Sequence, residues 1–356
     1  MKRKYILMGV AILSSVVAGA QDITDSIARK TQAVSTISAD EISKNATPNV
    51  SNTLYGLLPG LSVMQQTGWT DDAATLLRGY NNPLIVVDGF ARPLSYLNTA
   101  EIESVTVLKD GAATAVWGTR GANGVILITT KRGEYNTKMQ IDASYKFGMD
   151  FPINQPKFAN GYEYASALNE ALYYDGLEPQ YTRKELDAFR NGSNRDLYAD
   201  TDWMKEGLRK HTINNQLDIS FHGGGKRLRY FTLLSYKNDY GILNETYAAQ
   251  MRKYELGLRM NIDVDITPTT LAQFSMLGQL RERKRPNTSE YDLFAGLFNT
   301  PSGAFPMQTS HGYWGSNNVL KTNPIARIAD IGYFKENPRT LQADFRIRQD
   351  LSLITP

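Results

Sequence analysis

The stretch from Leu84 to Gly133 decides the fold. It reads LIVVDG at 84–89, IESVTVLKD at 102–110 and GTRGANGVILITT at 118–130. A phosphate-binding glycine loop needs a strand before it and a helix after it, because the phosphate sits at the N-terminus of that helix. Here the order is reversed, since an alanine-rich helical segment, Gly111 to Trp117, precedes the glycines and a β-branched strand follows them. The glycines are therefore predicted to be turn and close-packing positions in a small mixed α/β module.

Local signals divide this module into short elements. Asp110 is placed to cap the helical segment at its start, and Gly118 is placed to end it. The spacing from Ser38 to Glu41 is that of a capping box, and Pro48 is predicted to start a second helix, because a proline at the first helical position loses no hydrogen bond. Strands are predicted at Leu61–Met64, Thr75–Arg78, Leu84–Val87, Ile102–Leu108 and Val125–Thr130.

The same residues carry a family resemblance. Leu-Arg-Gly at 77–79, Val-Val-Asp-Gly at 86–89, the run at 102–110 and Trp-Gly-Thr-Arg-Gly-Ala-Asn-Gly at 117–124 resemble the plug domain of TonB-dependent outer-membrane transporters, above all the SusC/RagA type of Bacteroidetes. The resemblance implies an α+β plug domain at 31–133. It also implies glycines that form backbone turns and polar side chains that pair within the plug or with a barrel wall: Arg78, Gly79, Asp88, Gly89, Lys109, Asp110, Gly118, Arg120, Gly121, Asn123 and Gly124.

The N-terminus predicts export. Residues 1–20 have a positive n-region, an apolar run at 5–17 and a small-residue cleavage site, which together indicate a cleaved secretory signal peptide. The apolar run is shorter than the roughly 20 residues that span a bilayer, and Gln21 stands where a lipoprotein would present a cysteine. Residues 21–30 are then a short leader. The resemblance implies a TonB-contacting segment there, with a disordered leader as the alternative; its candidates are Asp22, Ile23, Thr24, Asp25, Ser26 and Ile27.

Composition removes several function classes. The 356 residues include no cysteine, which excludes disulfides, thiol catalysis and zinc-cysteine sites. The three histidines lack ligand spacing, so no metal or other cofactor is expected. A formal net charge of +3 gives no indication of nucleic acid binding. A mean hydropathy of −0.37 is compatible with a membrane barrel, because its strands alternate polar and apolar residues.

After Gly133 the apolar period changes to two. Alternation is strict at 139–147, 254–266 and 341–351, and less strict at 216–221, 228–240 and 270–280. A soluble sandwich also alternates, but its strands usually run about 5 to 6 residues, whereas a tilted membrane strand needs roughly 9 to 11. Residues 134–356 are therefore predicted to be the N-terminal portion of a transmembrane antiparallel β-barrel.

Strand number predicts an incomplete barrel. A barrel that encloses a whole plug needs on the order of 22 strands, and this chain offers about six, so it is interpreted as a truncated or split copy. Residues 150–211 and 281–339 are predicted to be long extracellular loops. The basic run from Arg281 to Pro286 is interpreted as a solvated part of one, with a specific anion contact as the alternative. Five loop aromatics are candidates either for sugar stacking or for packing within the loops: Tyr162, Tyr164, Trp203, Tyr313 and Trp314.

The resemblance implies transport without catalysis. The implied function is outer-membrane import of oligosaccharides or peptides, with the plug gating the lumen, TonB and its inner-membrane complex supplying energy, and a SusD-like surface lipoprotein as partner. A siderophore or cobalamin receptor and a non-functional or secreted plug fragment are the alternatives. A secreted hydrolase using Asp88, Glu101 and Glu103 is disfavoured, because Glu101 and Glu103 are expected on one strand face with no opposing partner.

Overall fold

The structure is a computed structural model that describes residues 33–45, 47, 49–65, 73–153, 155–244 and 251–351. The predicted signal peptide and the candidate TonB-contacting segment lie outside these residues. Eight strands form the N-terminal part of the described chain: β1 (Val34–Ser38), β2 (Leu61–Met64), β3 (Ala74–Leu77), β4 (Tyr80–Asn81), β5 (Leu84–Val87), β6 (Phe90–Ala91), β7 (Ile102–Leu108) and β8 (Val125–Thr130).

These strands form two sheets. A five-stranded sheet has the order β1-β7-β8-β5-β6, and a three-stranded sheet has the order β2-β3-β4. Strands β5 and β8 are parallel, and the remaining neighbours in the larger sheet are antiparallel. The central strands are rich in β-branched residues and largely buried, with Val87, Val105 and Ile126 each at 0% exposure. This continuous apolar core is what a sheet covered on both faces requires.

Short helices connect the strands, and two of them differ from the prediction. The α-helices are Ala39–Ser43, Val50–Thr53 and Gly111–Thr114, and 3-10 helices occupy Leu94–Tyr96, Thr99–Glu101 and Ala115–Gly121. The second helix begins at Val50 after the extended residue Asn49, two positions later than a start at Pro48 would give. The α-helix after Asp110 ends at Thr114. A 3-10 segment, Ala115–Gly121, follows it and is kinked at Gly118, which has φ +56° and ψ −144°.

Seven antiparallel strands form a separate, open sheet. They are β9 (Thr137–Asp150), β10 (Thr212–Gly224), β11 (Leu228–Tyr240), β12 (Arg252–Thr267), β13 (Thr270–Pro286), β14 (Tyr333–Glu336) and β15 (Arg339–Gln349). Strands β9 to β13 pair in sequence, and β13 pairs with β14 along one part of its length and with β15 along another. All six predicted alternating strands are present, and β14 is additional. The predicted fold class, a plug domain followed by the first strands of an unclosed barrel, is confirmed.

The two faces of this sheet differ in polarity. On β12, Leu256, Leu258 and Met260 alternate with Glu255, Arg259 and Asn261, and the polar set is buried. The register places residues of the same face side by side on neighbouring strands. Leu258, for example, lies opposite Leu234 on β11 and opposite Gly278 on β13. The polar face lies against the plug and is called the inner face below; the apolar face is called the outer face.

Helices between the strands build a second hydrophobic core at one rim of the sheet. They are Gly161–Tyr174, Arg183–Asn191, Trp203–Gly207, Glu290–Asn299 and Pro324–Ala329, and their buried side chains include Trp203, Leu297 and Ile325. None of the helices in the described ranges is both long and apolar enough to cross a bilayer. The prediction that Arg281 to Pro286 is a solvated loop is wrong, because β13 extends through these residues and pairs with β12 and β14.

Candidate functional site at the plug and wall interface

Three turns of the N-terminal sheets reach the inner face of the seven-stranded sheet. They are the β5–β6 turn that contains Asp88, the 3-10 turn from Asn98 to Glu101, and the end of β8 at Thr130. Each carries a buried polar side chain: Asp88 is 8% exposed, Glu101 1% and Thr130 1%. Buried polar groups need partners, and these find them partly in the plug and partly in the wall.

Arg259 is the centre of the interface. Its side chain is 1% exposed, its Nε donates to Glu101 Oε2 at 2.8 Å, and its Nη2 lies 4.0 Å from Asp88 Oδ2. The other oxygen of Glu101 accepts the Asn98 N–H at 2.8 Å. Burial raises the pKa of Glu101, although the Arg259 guanidinium and these hydrogen bonds favour its charged form. A plug carboxyl and a wall cation are therefore desolvated together.

Asp88 links plug and wall through a strained turn. It has φ +49°, a backbone conformation that residues other than glycine rarely adopt. Its carboxylate accepts the Thr130 N–H at 3.0 Å and the Thr130 hydroxyl at 2.6 Å, which ties the β5 end to the β8 end. Its carbonyl accepts from Arg346 Nη2 on β15 at 2.9 Å. Gly89, which follows, has φ +90° and completes the turn.

Further ion pairs and hydrogen bonds surround this centre. Arg92 pairs with Asp344 of β15, and Arg132 and Arg229 share Asp263 of β12, which is 1% exposed. Asn98 Nδ2 donates to Asp218 Oδ1 at 2.7 Å. Asn261 Nδ2 donates to the Thr130 hydroxyl at 2.9 Å and to the Lys131 carbonyl at 2.8 Å. The interface is held mainly by directional polar contacts.

This polar network is incompletely satisfied. Within the described residues, Arg259 Nη1 and Nη2, Asn261 Oδ1, Gln216 Oε1 and Thr99 Oγ1 are buried without a hydrogen-bond partner. A buried network with unmet members contributes less stability than one that is fully paired. The plug is thus docked specifically, and because burying charged groups costs desolvation free energy, the net contribution of these contacts is smaller than their number indicates.

The other predicted residues lie at the opposite end of the plug sheet. Asp110 accepts the Ala33 N–H at 2.7 Å and the Ala113 N–H at 2.8 Å, and these two bonds lower its pKa. The neighbouring Lys109 amine donates to the Ser35 hydroxyl. Arg78 has φ +51°, and its N–H donates to the Gly60 carbonyl at 2.9 Å. Asp110 therefore caps the helix as predicted and also holds the start of β1.

The predicted glycines serve backbone geometry to different degrees. Gly124 has φ +90°, and a Cβ there would stand 2.0 Å from Leu77 Cδ2. Gly121 is buried, with a Cβ position 3.0 Å from the Thr114 carbonyl oxygen. Gly79 and Gly118 have positive φ but open space around them. Of the polar residues here, Asn123 donates to the Asn81 carbonyl at 2.8 Å, and Arg120 is exposed.

One argument made from the sequence against a hydrolase is wrong in its geometry. Glu101 ends a 3-10 turn and is buried, whereas Glu103 lies in β7 and is exposed, so they do not share a strand face. Glu101 has an opposing partner, Arg259, which sequence reasoning missed. The signal was present in the strict alternation of β12, where Glu255, Arg259 and Asp263 occupy inner positions of a strand with an apolar outer face.

The loop aromatics divide between packing and exposure. Trp203 is 3% exposed, its Nε1 donates to the Pro301 carbonyl at 3.2 Å, and its ring lies 5.5 Å from that of Phe305. Tyr162 contacts Arg190 through both its ring and its hydroxyl. Tyr313 is 74% exposed. Trp203 is thus a core residue of the loops, and Tyr313 remains a candidate for sugar stacking.

Comparison with known proteins defines the class. The family model of the TonB-dependent receptor plug domain matches residues 26–125. The RagAB peptide importer in its open-open state has the same fold, with a TM-score of 0.70 and 20% identity over 90% of this chain and 39% of that chain. The plug and the wall it contacts are those of a TonB-dependent receptor.

Curated relatives narrow this class. The TonB-dependent receptor SusC of Bacteroides thetaiotaomicron is 33% identical over 60% of this chain and 21% of its own length. TonB-dependent receptor P26 of Formosa agariphila is 28% identical over 84% of this chain and 30% of its own length. The chain carries a TonB-dependent receptor plug domain and is similar to SusC/RagA-type receptors over most of its length. It spans about a fifth to a third of the length of these relatives.

Proposed function

We propose that this chain supplies the plug and the first wall strands of an outer-membrane importer of oligosaccharides or peptides. The observation that carries the proposal is the contact between the plug and the polar inner face of the seven-stranded sheet. A plug that must be displaced to open a lumen needs an interface that is specific and separable. The buried ion-pair network around Arg259 has both properties, because its contacts are directional and the desolvation of its charges reduces their net contribution to binding.

The outer face supports a membrane location. On β12 its apolar side chains run from Leu256 to Ile266. Ten residue steps at about 3.3 Å span about 33 Å, which a tilt of about 40° reduces to about 25 Å. That is the height of the apolar band in outer-membrane barrels. Tyr236 and Tyr254, whose rings lie 5.5 Å apart, border the band on the side of the long loops.

The remaining roles follow from the family. We assign residues 1–20 to a signal peptide, 21–30 to a leader that contacts TonB, 31–133 to the plug and 134–356 to the barrel. A SusD-like lipoprotein would cover the loop side of the barrel. Cargo is an oligosaccharide or a peptide, by analogy with SusC and the RagAB peptide importer.

The test follows import in cells that express the gene product in its own outer membrane. Deletion of the gene is expected to abolish accumulation of one labelled class, oligosaccharide or oligopeptide. Because TonB draws on the inner-membrane proton gradient, an uncoupler is expected to reduce accumulation in the wild type to the level of the deletion. The protein should be recovered from the outer-membrane fraction.

The control is Arg120→Gln, an exposed plug residue at the opposite end of the plug sheet from the contacts with Arg259. It should import normally. Recovery of the wild-type protein from the soluble periplasmic fraction, or accumulation of both cargo classes unchanged by the deletion, would refute the proposal.

A further inference from the structure

The outer face carries a groove of about 640 Å³ across strands β10 to β13 and β15. Six leucines line it, among them Leu234, Leu258 and Leu341, and Leu341 is 75% exposed. The groove has a structural cause. Gly278 lies in register between Leu258 and Leu341, so one position in the apolar row lacks a side chain. A Cβ at Gly278 would have its nearest neighbour at 4.0 Å, and the gap is open.

A row of cations borders the groove on the side of the long loops. Register places Arg339 opposite Leu280, two residues or about 7 Å along the strand from Gly278. Lys284 on β13 lies opposite Lys335 on β14 and opposite Arg252 on β12 in the strand register. All four cations share the outer face with the groove. They are called the basic rim below.

The basic rim has an excess of positive charge. Its one carboxylate neighbour on the outer face of the described strands, Glu282, contacts Lys335 at 3.1 Å. Lys284 lies 4.7 Å from the centre of the Tyr333 ring, and Arg252 lies 5.7 Å from that of Tyr254. These rings orient the cations without neutralising them. Clusters of lysine and arginine beside a membrane bind the phosphate groups of lipids.

We propose that the groove and the basic rim bind one phosphorylated lipid of the outer leaflet. An acyl chain fills the gap at Gly278, and the phosphate contacts Arg339 and Lys284. This inference rests on the proposed outer-membrane location, in which the long loops face outward. A second copy of the chain fits less well, because a symmetric contact would bring the basic rim against itself.

The experiment uses the gene product extracted from the outer membrane, delipidated in detergent and examined by native mass spectrometry. Two probes differ only by the phosphate: dipalmitoyl phosphatidic acid and dipalmitoyl glycerol. We expect one phosphatidic acid to be retained at a concentration at least tenfold below that of the glycerol lipid. Arg339→Gln combined with Lys284→Gln should remove this preference. Lys226→Gln, a cation in the opposite turn, should retain it.

A second pair of variants tests the groove. Gly278→Leu should reduce retention of both probes at least tenfold, whereas Ala272→Leu, on the same strand and face outside the groove, should not. Equal retention of the two probes by the wild type would overturn the proposal, as would unchanged retention by the double variant. A change of oligomeric state in Gly278→Leu with unchanged lipid retention would identify a contact between copies instead. Absence of the protein from the outer membrane would refute the proposed location, a result separate from these.

Discussion

The two ends of the plug sheet are held by different forces. The end that faces the wall, at Asp88, Glu101 and Thr130, is fixed by buried side chains that contact wall residues as well as each other. The opposite end, at Asp110 and Gly118 to Gly124, is fixed by backbone turns and N–H groups within the plug. The first kind of contact can be broken by separating the domains, whereas the second holds the plug fold itself. The comparison predicts which substitutions release the plug and which unfold it.

The largest effect is expected at Arg259. Arg259→Met removes the cation that faces Glu101 and leaves a buried carboxyl without its partner, which costs about 3–5 kcal/mol. Limited proteolysis of the detergent-solubilised chain should then cleave plug residues much faster. Arg259→Met combined with Glu101→Gln should recover part of this loss, because the two residues act as a pair. Additive losses in the double variant would contradict the ion-pair assignment.

The next largest effect is expected at the opposite end of the sheet. Gly124→Ala puts an alanine at φ +90° and adds a Cβ that collides with Leu77. Together these effects should lower the free energy of unfolding by about 2–4 kcal/mol. Gly118→Ala is the matched control, since it has positive φ but open space, and should cost about 1–2 kcal/mol. Denaturant unfolding followed by fluorescence measures both. Equal losses would show that packing at Leu77 contributes nothing.

A smaller effect is expected at Asp110, and it depends on pH. Two backbone N–H groups lower the pKa of Asp110 in the folded chain. Its contribution is therefore present above its ordinary pKa of 3.8 and is lost as pH falls through the lower folded value. Asp110→Asn should cost about 1 kcal/mol at pH 7, because a neutral amide replaces a carboxylate that accepts two N–H groups. The difference in the free energy of unfolding between variant and wild type should shrink below about pH 4. A constant difference down to pH 2 would contradict the assignment.

The smallest effect is expected at Arg120, which is exposed at the same end. Arg120→Gln should change the free energy of unfolding by less than about 0.5 kcal/mol, because exposed substitutions away from packed features usually do. The same unfolding experiment measures it. A loss comparable to that of Gly124→Ala would show that the end is held by side-chain charge, against the comparison drawn above.

Local patterns predicted the elements well where one residue type decides the geometry. Strands β2, β5, β7 and β8 begin and end where the β-branched runs and flanking glycines indicate. The predicted boundaries of elements were wrong where tertiary contacts decide them. The basic run after Leu280 reads as a loop, yet its arginines are in a strand because Arg281 pairs with Glu255 of the wall and donates to the Ser95 carbonyl of the plug.

The predicted plug residues were found at two sites, and sequence had no means of separating them. Asp88 and Asp110 are both aspartates beside glycine, but one faces a wall strand more than 250 residues away in sequence and the other caps a local turn. Arg259 was missed because its partner, Glu101, lies 158 positions from it. A single chain carries no signal that pairs residues at such separations.

The sequence by itself determined the alternation of the wall strands, the glycine turns and the polar inner positions, because each depends on neighbours within a few residues. Only the tertiary structure decided which inner cation meets which plug carboxyl, and that the outer apolar row is interrupted at Gly278 beneath a basic rim. Those outcomes depend on register between strands and on docking of one domain against another. Both are set by the summed packing of many residues, and no local pattern encodes them.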